Sequence, residues 1–389
     1  MTVYYPTHIL RILLRRGLLI DRLKFIFGVD AGEVERFIMA VYAHGQPVPD
    51  RAVSAHLPTL VENGYLNVDG PSSRGRCSFM NTVGVNFELT YRCNLRCRHC
   101  LQQNIRDDTR RELSTEQVKH LIRQVYLSGL CTVGINFTGG EALGHRDDLF
   151  EIMAYTGRLG IPWRLNTNSW WAGKADLELF GRHFPSSQDL VLYLKDLGLQ
   201  RFALSFDERM VDSKRVNDLL CSISLCEMND IDYEVIFTGI ESAEASRVIT
   251  LIKKALKCNF LPHLTIVYNE MVDVGGAIDS AGRHSWQSNL SPCMGTGFYH
   301  PAYLHISPEG KVRTCMYASD AANVGDVRKD DFIDLINRFP GNEIGRFFTS
   351  PVKKQQAIAR LTAQGAEKYK ALIHECARNA FVAGALGSK

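Results

Sequence analysis

Three cysteines, Cys93, Cys97 and Cys100, stand within eight residues in a CxxxCxxC pattern. In a loop, this spacing allows three thiolates to turn toward one metal centre. A [4Fe-4S] cluster normally takes four thiolates, so a three-cysteine site leaves one iron free to bind a substrate or a cofactor. Structural zinc is the alternative, but it needs four protein ligands, and His99 lies between two of the cysteines and is badly placed to join them. The pattern therefore favours an iron–sulfur centre.

Polar and small residues follow apolar runs at three further places. They are Gly139, Gly140 and Glu141, then Asn166 with Asn168, and then Ser205 with Asp207. In parallel barrels the carboxyl ends of the strands share one rim, and the chemistry lies on that rim. If the apolar runs are parallel strands, we expect these side chains to lie together with the cysteine loop.

Strand-like runs alternate with helical periodicity along the middle of the chain. Strands are predicted at residues 83–90, 132–138, 163–167, 201–206, 233–238 and 263–268, and helices at 114–129, 147–159, 176–197, 213–228 and 243–257. Such alternation predicts a parallel sheet covered by helices, either doubly wound or curled into a barrel. The polar strand ends favour the barrel, so we expect an α/β fold with a partial (β/α)6 TIM-like barrel over residues 81–270.

The two flanking regions lack this alternation. Helical periodicity covers residues 9–19, 31–43 and 51–61, and a short apolar segment follows at 65–68. This order predicts a small winged-helix-like module over residues 1–80, and a helical extension that only packs on the barrel is the alternative. Residues 271–389 have weaker periodicity and several glycines, which predicts a second small domain.

The composition excludes several classes of partner. The 389 residues carry 45 Lys and Arg against 42 Asp and Glu, and a net charge of +3 gives no overall attraction to nucleic acid or to an anionic membrane. Charges interrupt the first 23 residues before a spanning or signal-type run forms, which predicts a cytoplasmic protein without a membrane partner. Eleven cysteines, an odd number, suit metal or redox chemistry better than a secreted disulfide framework.

Two motifs resemble one family. The sequence YRCNLRCRHC at residues 91–100, followed by FTGGE at residues 137–141, resembles the radical S-adenosylmethionine (SAM) superfamily. The resemblance covers about residues 83–270 and implies a partial (β/α)6 barrel. It also implies that the three cysteines bind a [4Fe-4S] cluster whose free iron binds SAM. SAM is then cleaved to a 5′-deoxyadenosyl radical that abstracts hydrogen from a substrate, with electrons from a flavodoxin- or ferredoxin-type donor.

The same resemblance implies roles for residues near the cluster loop. His99 takes the position beside the adenine. Gly139 and Gly140 let the backbone approach the methionine moiety, and Glu141 or nearby carbonyls receive its ammonium group.

The resemblance also implies contacts with the ribose and carboxylate of SAM at the ends of the third and fourth predicted strands. The residues there are Asn166, Asn168, Ser205 and Asp207. For each of these residues, an ordinary strand-end cap is the alternative. Asp207 and Tyr268 also occupy rim positions suitable for a catalytic base.

A second group of cysteines follows the barrel, at Cys293, Cys315 and Cys376. This group resembles the twitch or SPASM region that holds an auxiliary iron–sulfur cluster in related enzymes. Full thiolate ligation needs four cysteines. Either one iron is open, a residue such as His374 completes the site, or no second cluster forms.

The domain order suggests the substrate. A leader-binding module before the barrel and a twitch-like region after it are similar to enzymes that modify ribosomally made precursor peptides (RiPP maturases) by crosslinking, epimerisation or oxidation. The alternative substrate is a small molecule, such as an aminocyclitol or sugar, that is dehydrogenated or epimerised. A DNA-binding iron–sulfur redox sensor is disfavoured, because residues 50–61 contain one Arg and no Lys for phosphate contacts.

Overall fold

The computed structural model describes most of the barrel and parts of both flanks. The described residues are 4–6, 10, 13–14, 17–44, 51–63, 65–68, 84–97, 100–101, 112–128, 134–207, 215–269, 303–313, 323–332, 334–335, 343, 347, 351–371, 378, 381–383 and 385–386.

The N-terminal region combines helices with one small sheet. Its elements are β1 (Tyr5–Pro6), α1 (Leu19–Phe27), α2 (Ala31–His44), α3 (Arg51–Ser54), α4 (Leu57–Glu62) and β2 (Leu66–Asn67), with a 3-10 turn at Gly28–Asp30. Strands β1 and β2 pair antiparallel. The single helix predicted at 51–61 is wrong, because Pro58 has no backbone N–H and lies in the first turn of a new helix, α4. The winged-helix-like assignment stays a prediction.

The strands of the middle region are β3 (Gly84–Glu88), β4 (Gly134–Thr138), β5 (Trp163–Thr167), β6 (Ala175–Leu179), β7 (Arg182–Ser186), β8 (Leu199–Asp207), β9 (Asp232–Thr238) and β10 (Leu264–Asn269). Six of them lie in one sheet in the order β10-β9-β8-β5-β4-β3, and every neighbouring pair is parallel. The predicted α/β fold with parallel strands is confirmed, and each of these six strands overlaps its predicted range.

The helices that cover this sheet are α5 (Thr115–Ser128), α6 (Ala142–His145), α7 (Leu149–Arg158), α8 (Ser187–Asp196), α9 (Arg215–Met228) and α10 (Ser242–Ala255). The predicted capping box begins α5, since the Ser114 N–H donates to Gln117 Oε1 over 2.9 Å and the Gln117 N–H donates to Ser114 Oγ over 3.3 Å. Residues spaced three and four apart on α5 are buried against the sheet.

The two faces of the sheet differ in chemistry. Alternate residues such as Val85 and Phe87 point toward the helices and join the apolar core. The residues between them, such as Asn86 and Glu88, point to the inner face and are polar although they are buried. The sheet therefore encloses a polar interior.

A helix predicted across residues 176–197 is wrong in its first half. An antiparallel hairpin of β6 and β7 stands there instead, and only α8 is helical. Asp176 and Phe180 have φ values of 52° and 54°, and Gly181 follows in the turn with φ 73°. Left-handed residues of this kind interrupt a right-handed helix and favour a tight turn.

The sheet continues beyond the six predicted strands. The C-terminal elements are β11 (Tyr303–Ile306), β12 (Lys311–Arg313), β13 (Gly325–Asp326), α11 (Pro351–Ala359) and α12 (Ala363–Ala371). Strand β11 pairs parallel with β3, and β12 and β13 add to it antiparallel. The sheet thus crosses residue 271, where a new domain was expected, and the domain boundaries themselves stay predictions.

Helix α5 contacts both flanking regions. The Arg22 guanidinium lies 3.7 Å from the centre of the Tyr126 ring, and the Tyr65 hydroxyl donates to the Leu127 carbonyl over 2.9 Å. On the other flank, Gln124 Oε1 accepts from the Phe332 N–H over 2.8 Å. The N-terminal helices and the C-terminal segment are therefore both fixed to the barrel. Among the described residues, every helix is too short or too polar to cross a bilayer.

Candidate active site

The cysteine loop begins directly after β3. Cys93, Cys97 and Cys100 are each half-buried. The Leu95 N–H donates to Cys93 Sγ over 3.4 Å, and the Cys100 N–H donates to the Cys97 carbonyl over 3.3 Å. These backbone contacts fold the loop back on itself.

Cys97 faces the carboxylate at the end of β8. Burial raises the pKa of the Cys97 thiol to about 12, and the charge and hydrogen bond of Asp207 add to the shift, as do Cys100 and Cys93. The two other thiols are therefore close enough to interact with Cys97. Asp207 is buried on the inner face. The structure thus brings together the predicted ligands and one predicted rim residue.

Among the described residues, no three His, Cys, Asp or Glu side chains are spaced to hold a single metal ion.

The two glycines after β4 lie against the start of the cysteine loop. The Gly140 N–H donates to the Thr90 carbonyl over 2.7 Å, and the Glu141 N–H donates to the Arg92 carbonyl over 2.9 Å. A Cβ on Gly139 would lie 2.4 Å from the Thr90 oxygen, and one on Gly140 would lie 2.0 Å from the Arg92 oxygen. No side chain fits at either position. The glycines therefore allow two backbones to meet, a role that sequence reasoning had not assigned to them.

Glu141 ties the end of β4 to the end of β5. Its Oε2 accepts from the Asn168 N–H over 2.8 Å, and its Oε1 accepts from the Thr167 hydroxyl over 3.0 Å. Burial raises the pKa of the Glu141 carboxyl to about 7, although these hydrogen bonds and the one from the Leu143 N–H oppose the shift. The carboxylate is turned into the protein, where it orients the rim.

Asn168 reaches the cysteine loop. Its Nδ2 donates to Asn94 Oδ1 over 2.8 Å and lies 4.0 Å from Cys93 Sγ. Its Oδ1 accepts from the Trp170 N–H over 3.2 Å. One side chain therefore links the β5 end to the loop that carries the thiols.

Arg146 supports the same loop from below. This buried guanidinium donates to the Leu89 carbonyl over 3.2 Å and to the Leu113 carbonyl over 2.7 Å, and it pairs with Asp148 and Glu112. Glu112 Oε1 in turn accepts from the Thr90 hydroxyl over 2.6 Å. The end of β3 is thus held by a buried ionic network that sequence reasoning missed.

The remaining predicted residues divide into three groups. Asn166 and Ser205 lie half-buried on the inner face, where both can contribute to the site. Tyr268 lies on the outer face of the last parallel strand, is 48% exposed and stacks on Phe237 at 6.1 Å. This placement keeps its hydroxyl away from the cysteine loop and gives no support to a catalytic role. His99, Cys293, Cys315 and Cys376 lie outside the described residues.

Sequence reasoning missed the polar residues deeper in the barrel. Asn86, Glu88 and Asn136 come from β3 and β4, and His305 comes from β11; each is less than one-tenth exposed. The sequence pattern that could have predicted them is the alternation of polar and apolar residues in β3 and β4, since central strands of a parallel sheet are buried on both faces. Polar side chains on the inner face of such strands mark an interior that is built for a polar ligand.

Comparisons with known proteins give one family match and several named relatives. Residues 87–210 match the model of the Radical SAM superfamily. A segment of 112 residues is 33% identical to the mycofactocin maturase MftC of Mycolicibacterium smegmatis and covers 29% of this chain and 25% of that protein. A longer alignment of 306 residues is 24% identical to the AdoMet-dependent heme synthase of Methanosarcina barkeri and covers 64% of this chain and 81% of the synthase.

A solved structure of native anSMEcpe with bound AdoMet is 10% identical, has a TM-score of 0.47, and is matched over 79% of this chain and 94% of its own.

Proposed function

Because residues 87–210 match the model of the Radical SAM superfamily, we propose that this chain is an enzyme that reductively cleaves SAM and abstracts hydrogen from a substrate. The single observation that carries the proposal is the convergence of three thiols, the glycine pair and Glu141 on one rim. When bound, a [4Fe-4S] cluster and SAM would supply the radical chemistry.

The residues of this chain bind and orient those groups. Cys93, Cys97 and Cys100 are the cluster ligands, and Asn168 positions their loop through Asn94. Gly139 and Gly140 have no side chain, so the backbone at the end of β4 can contact the backbone at the start of the cysteine loop.

Further cofactor contacts extend around the rim. His99 is assigned to the adenine, and Gly139, Gly140 and the backbone carbonyls near Glu141 are assigned to the methionine moiety, because the Glu141 carboxylate itself is turned into the protein. The ribose and carboxylate of SAM are served by Asn166, Asn168, Ser205 and Asp207. Asp207, which is buried beside Cys97, is the better candidate for a catalytic residue than Tyr268.

The substrate of this enzyme is a ribosomally synthesised precursor peptide. A maturase is among the named relatives, over a shared segment of 112 residues. The N-terminal helices are fixed to α5 by Arg22 and Tyr65, so a leader peptide that adds a strand to the β1–β2 sheet would be held at a constant distance from the rim. Crosslinking, epimerisation and oxidation of the peptide all begin with the same hydrogen abstraction.

A non-peptide substrate is the second candidate. The longest alignment above is with a named heme synthase and spans 81% of that protein. A small molecule would enter the same polar interior without using the N-terminal module. Removal of a leader sequence from the substrate therefore distinguishes the two candidates.

The test is anaerobic reconstitution followed by reduction with SAM present. The native chain is compared with the Cys93→Ala, Cys97→Ala, Cys100→Ala triple variant, and both 5′-deoxyadenosine and iron are measured. We expect the native chain to form deoxyadenosine and the variant to form none. About four irons retained by the variant would support an auxiliary cluster on Cys293, Cys315 and Cys376, whereas none would argue against it.

A Cys221→Ala, Cys226→Ala, Cys258→Ala variant is the matched control, because these cysteines lie on α9 and beyond α10, away from the rim. It should retain deoxyadenosine formation. Absence of deoxyadenosine from a native chain that carries its full cluster would contradict the proposal.

A further inference from the structure

A hydrogen-bonded ladder crosses three adjacent strands inside the barrel. Asn136 Nδ2 on β4 donates to Asn86 Oδ1 on β3 over 2.8 Å, and Asn86 Nδ2 lies 3.2 Å from His305 Nδ1 on β11. The sheet register places the three residues side by side, since Asn86 is paired with both Asn136 and His305. All three side chains are more than nine-tenths buried.

The ladder ends in an acceptor without a partner. In both asparagines the NH2 group points along the ladder toward His305. The amide oxygen of each therefore points the opposite way, toward β5. The oxygen of Asn86 accepts from Asn136, but the oxygen of Asn136 is buried and has no donor among the residues that the structure describes. A buried acceptor left in this state is costly for a protein to keep. Asn166 Oδ1, on the next strand toward the rim, is likewise buried without a partner.

The neighbours of Asn136 do not satisfy this oxygen. Arg164 is its register partner on β5, but the Arg164 guanidinium turns away and pairs with Glu234 on β9. In the row below the ladder, Gly84 of β3 is paired with Gly134 of β4, so neither of these two strands places a side chain there. The inner face around Asn136 therefore presents a buried acceptor that none of its described neighbours satisfies.

We propose that Asn136 is a substrate-binding residue whose amide oxygen accepts a hydrogen bond from an amide N–H of the substrate. Asn86 and His305 are positioning residues, because they fix the direction in which Asn136 presents its oxygen. This inference deepens the proposed function and rests on it for the identity of the peptide. It also gives β11 a role, since the C-terminal strand supplies the imidazole that begins the ladder.

The test uses two small probes on the full chain, purified anaerobically. N-Methylacetamide carries one amide N–H, and N,N-dimethylacetamide has the same carbonyl but no N–H. Dissociation constants are measured by saturation-transfer difference NMR. We expect the native chain to bind the N–H probe about fivefold more tightly, which is the effect of one net hydrogen bond.

Two variants separate the role of the amide oxygen from a structural role. Asn136→Leu should lose the preference between the probes, because it removes the amide oxygen. Thr138→Val, on the same strand and face, is the matched control and should bind like the native chain. If Asn136→Leu loses its cooperative melting transition, Asn136→Ala takes its place with the same expectation.

Equal binding of both probes to the native chain would overturn the proposal, and so would a preference that survives in Asn136→Leu. An absence of binding to the native chain would mean that Asn136 is met by an ordered water only, which also overturns it. The binding measurements on the native chain and on the variants need neither reduction nor SAM cleavage. Failure of the proposed radical activity is therefore seen separately, in the deoxyadenosine assay.

Discussion

The side chain of Asn168 donates to Asn94 Oδ1 over 2.8 Å and thereby ties the end of β5 to the loop that carries the cysteines. Asn166, which lies two residues earlier and within β5, lacks such a contact with the loop among the described residues. The two residues can therefore be compared by experiment: Asn168 should affect how firmly the cysteine loop is held, and Asn166 should not.

Asn168→Ala should release the cysteine loop, so a chelator should remove iron from the reconstituted protein about five to ten times faster, as for the loss of one buried hydrogen bond. The measurement is the rate of iron release to bathophenanthroline. Asn166→Ala is the matched control, and its rate should equal that of the native chain. Equal rates for Asn168→Ala and Asn166→Ala would show that the contact does not hold the loop.

Gly140→Ala should destabilise the protein by about 2 kcal/mol or more, because its Cβ would lie 2.0 Å from the Arg92 oxygen and the two backbones must separate. Urea unfolding measures the change in the free energy of unfolding. Gly32→Ala serves as the control, since no atom lies within 4 Å of the position of its Cβ and it lies in the first turn of α2. That variant should be as stable as the native chain or more so. A native-like stability for Gly140→Ala would contradict the close approach.

Glu141 predicts a pH dependence of stability. Burial raises the pKa of its carboxyl from 4.5 to about 7 in the folded state, so the folded protein binds this proton more tightly than the unfolded chain does. The protonated carboxyl is stabilising at low pH. That contribution falls as the pH rises from 4.5 and is lost above about 7, by about 3 kcal/mol in total.

Melting temperatures of the native chain and of Glu141→Gln, measured between pH 4 and pH 8, check this sign. The native chain should lose stability relative to the glutamine variant as the pH rises. Parallel curves for the two proteins would show that Glu141 titrates normally in the folded state.

Arg146→Met should destabilise the protein by about 3 kcal/mol, because it leaves the partly buried Asp148 without its cation and Glu112 with only the more exposed Arg92. Unfolding in urea is again the measurement. Arg247→Met removes an exposed pair with Glu244 and should change stability by less than about 0.5 kcal/mol. A small effect at Arg146 would mean that water replaces the guanidinium in the network.

Asp207 and Tyr268 should differ in their effect on deoxyadenosine formation. Asp207→Asn removes a buried negative charge beside Cys97 and should slow the reaction about tenfold, an effect of about 1.4 kcal/mol. Tyr268→Phe should leave the rate unchanged, because this hydroxyl lies on the outer face of the sheet. A tenfold loss in the tyrosine variant would restore it as a catalytic candidate.

The middle of the chain was predictable because alternating apolar residues, caps and glycines act locally. Ser114 and Gln117 begin α5 as expected, and the motif after β3 indicated the site. The hairpin at β6 and β7 was missed because positive φ at Asp176 and Phe180 depends on the surrounding fold. The ladder was missed because the pairing of Asn86 with His305 is set by sheet register between strands far apart in sequence.

The position of β11 beside β3 also affects synthesis of the chain. Asn86 and His305 are 219 residues apart, and at about 5 to 20 residues per second the ribosome needs about 10 to 45 s to make the intervening chain. Throughout that interval β3 is an edge strand with unpaired N–H and C=O groups, although it is an interior strand of the finished sheet. The strand that leads into the cysteine loop is therefore among the last to be completed and is most exposed to wrong pairing while the chain is still emerging.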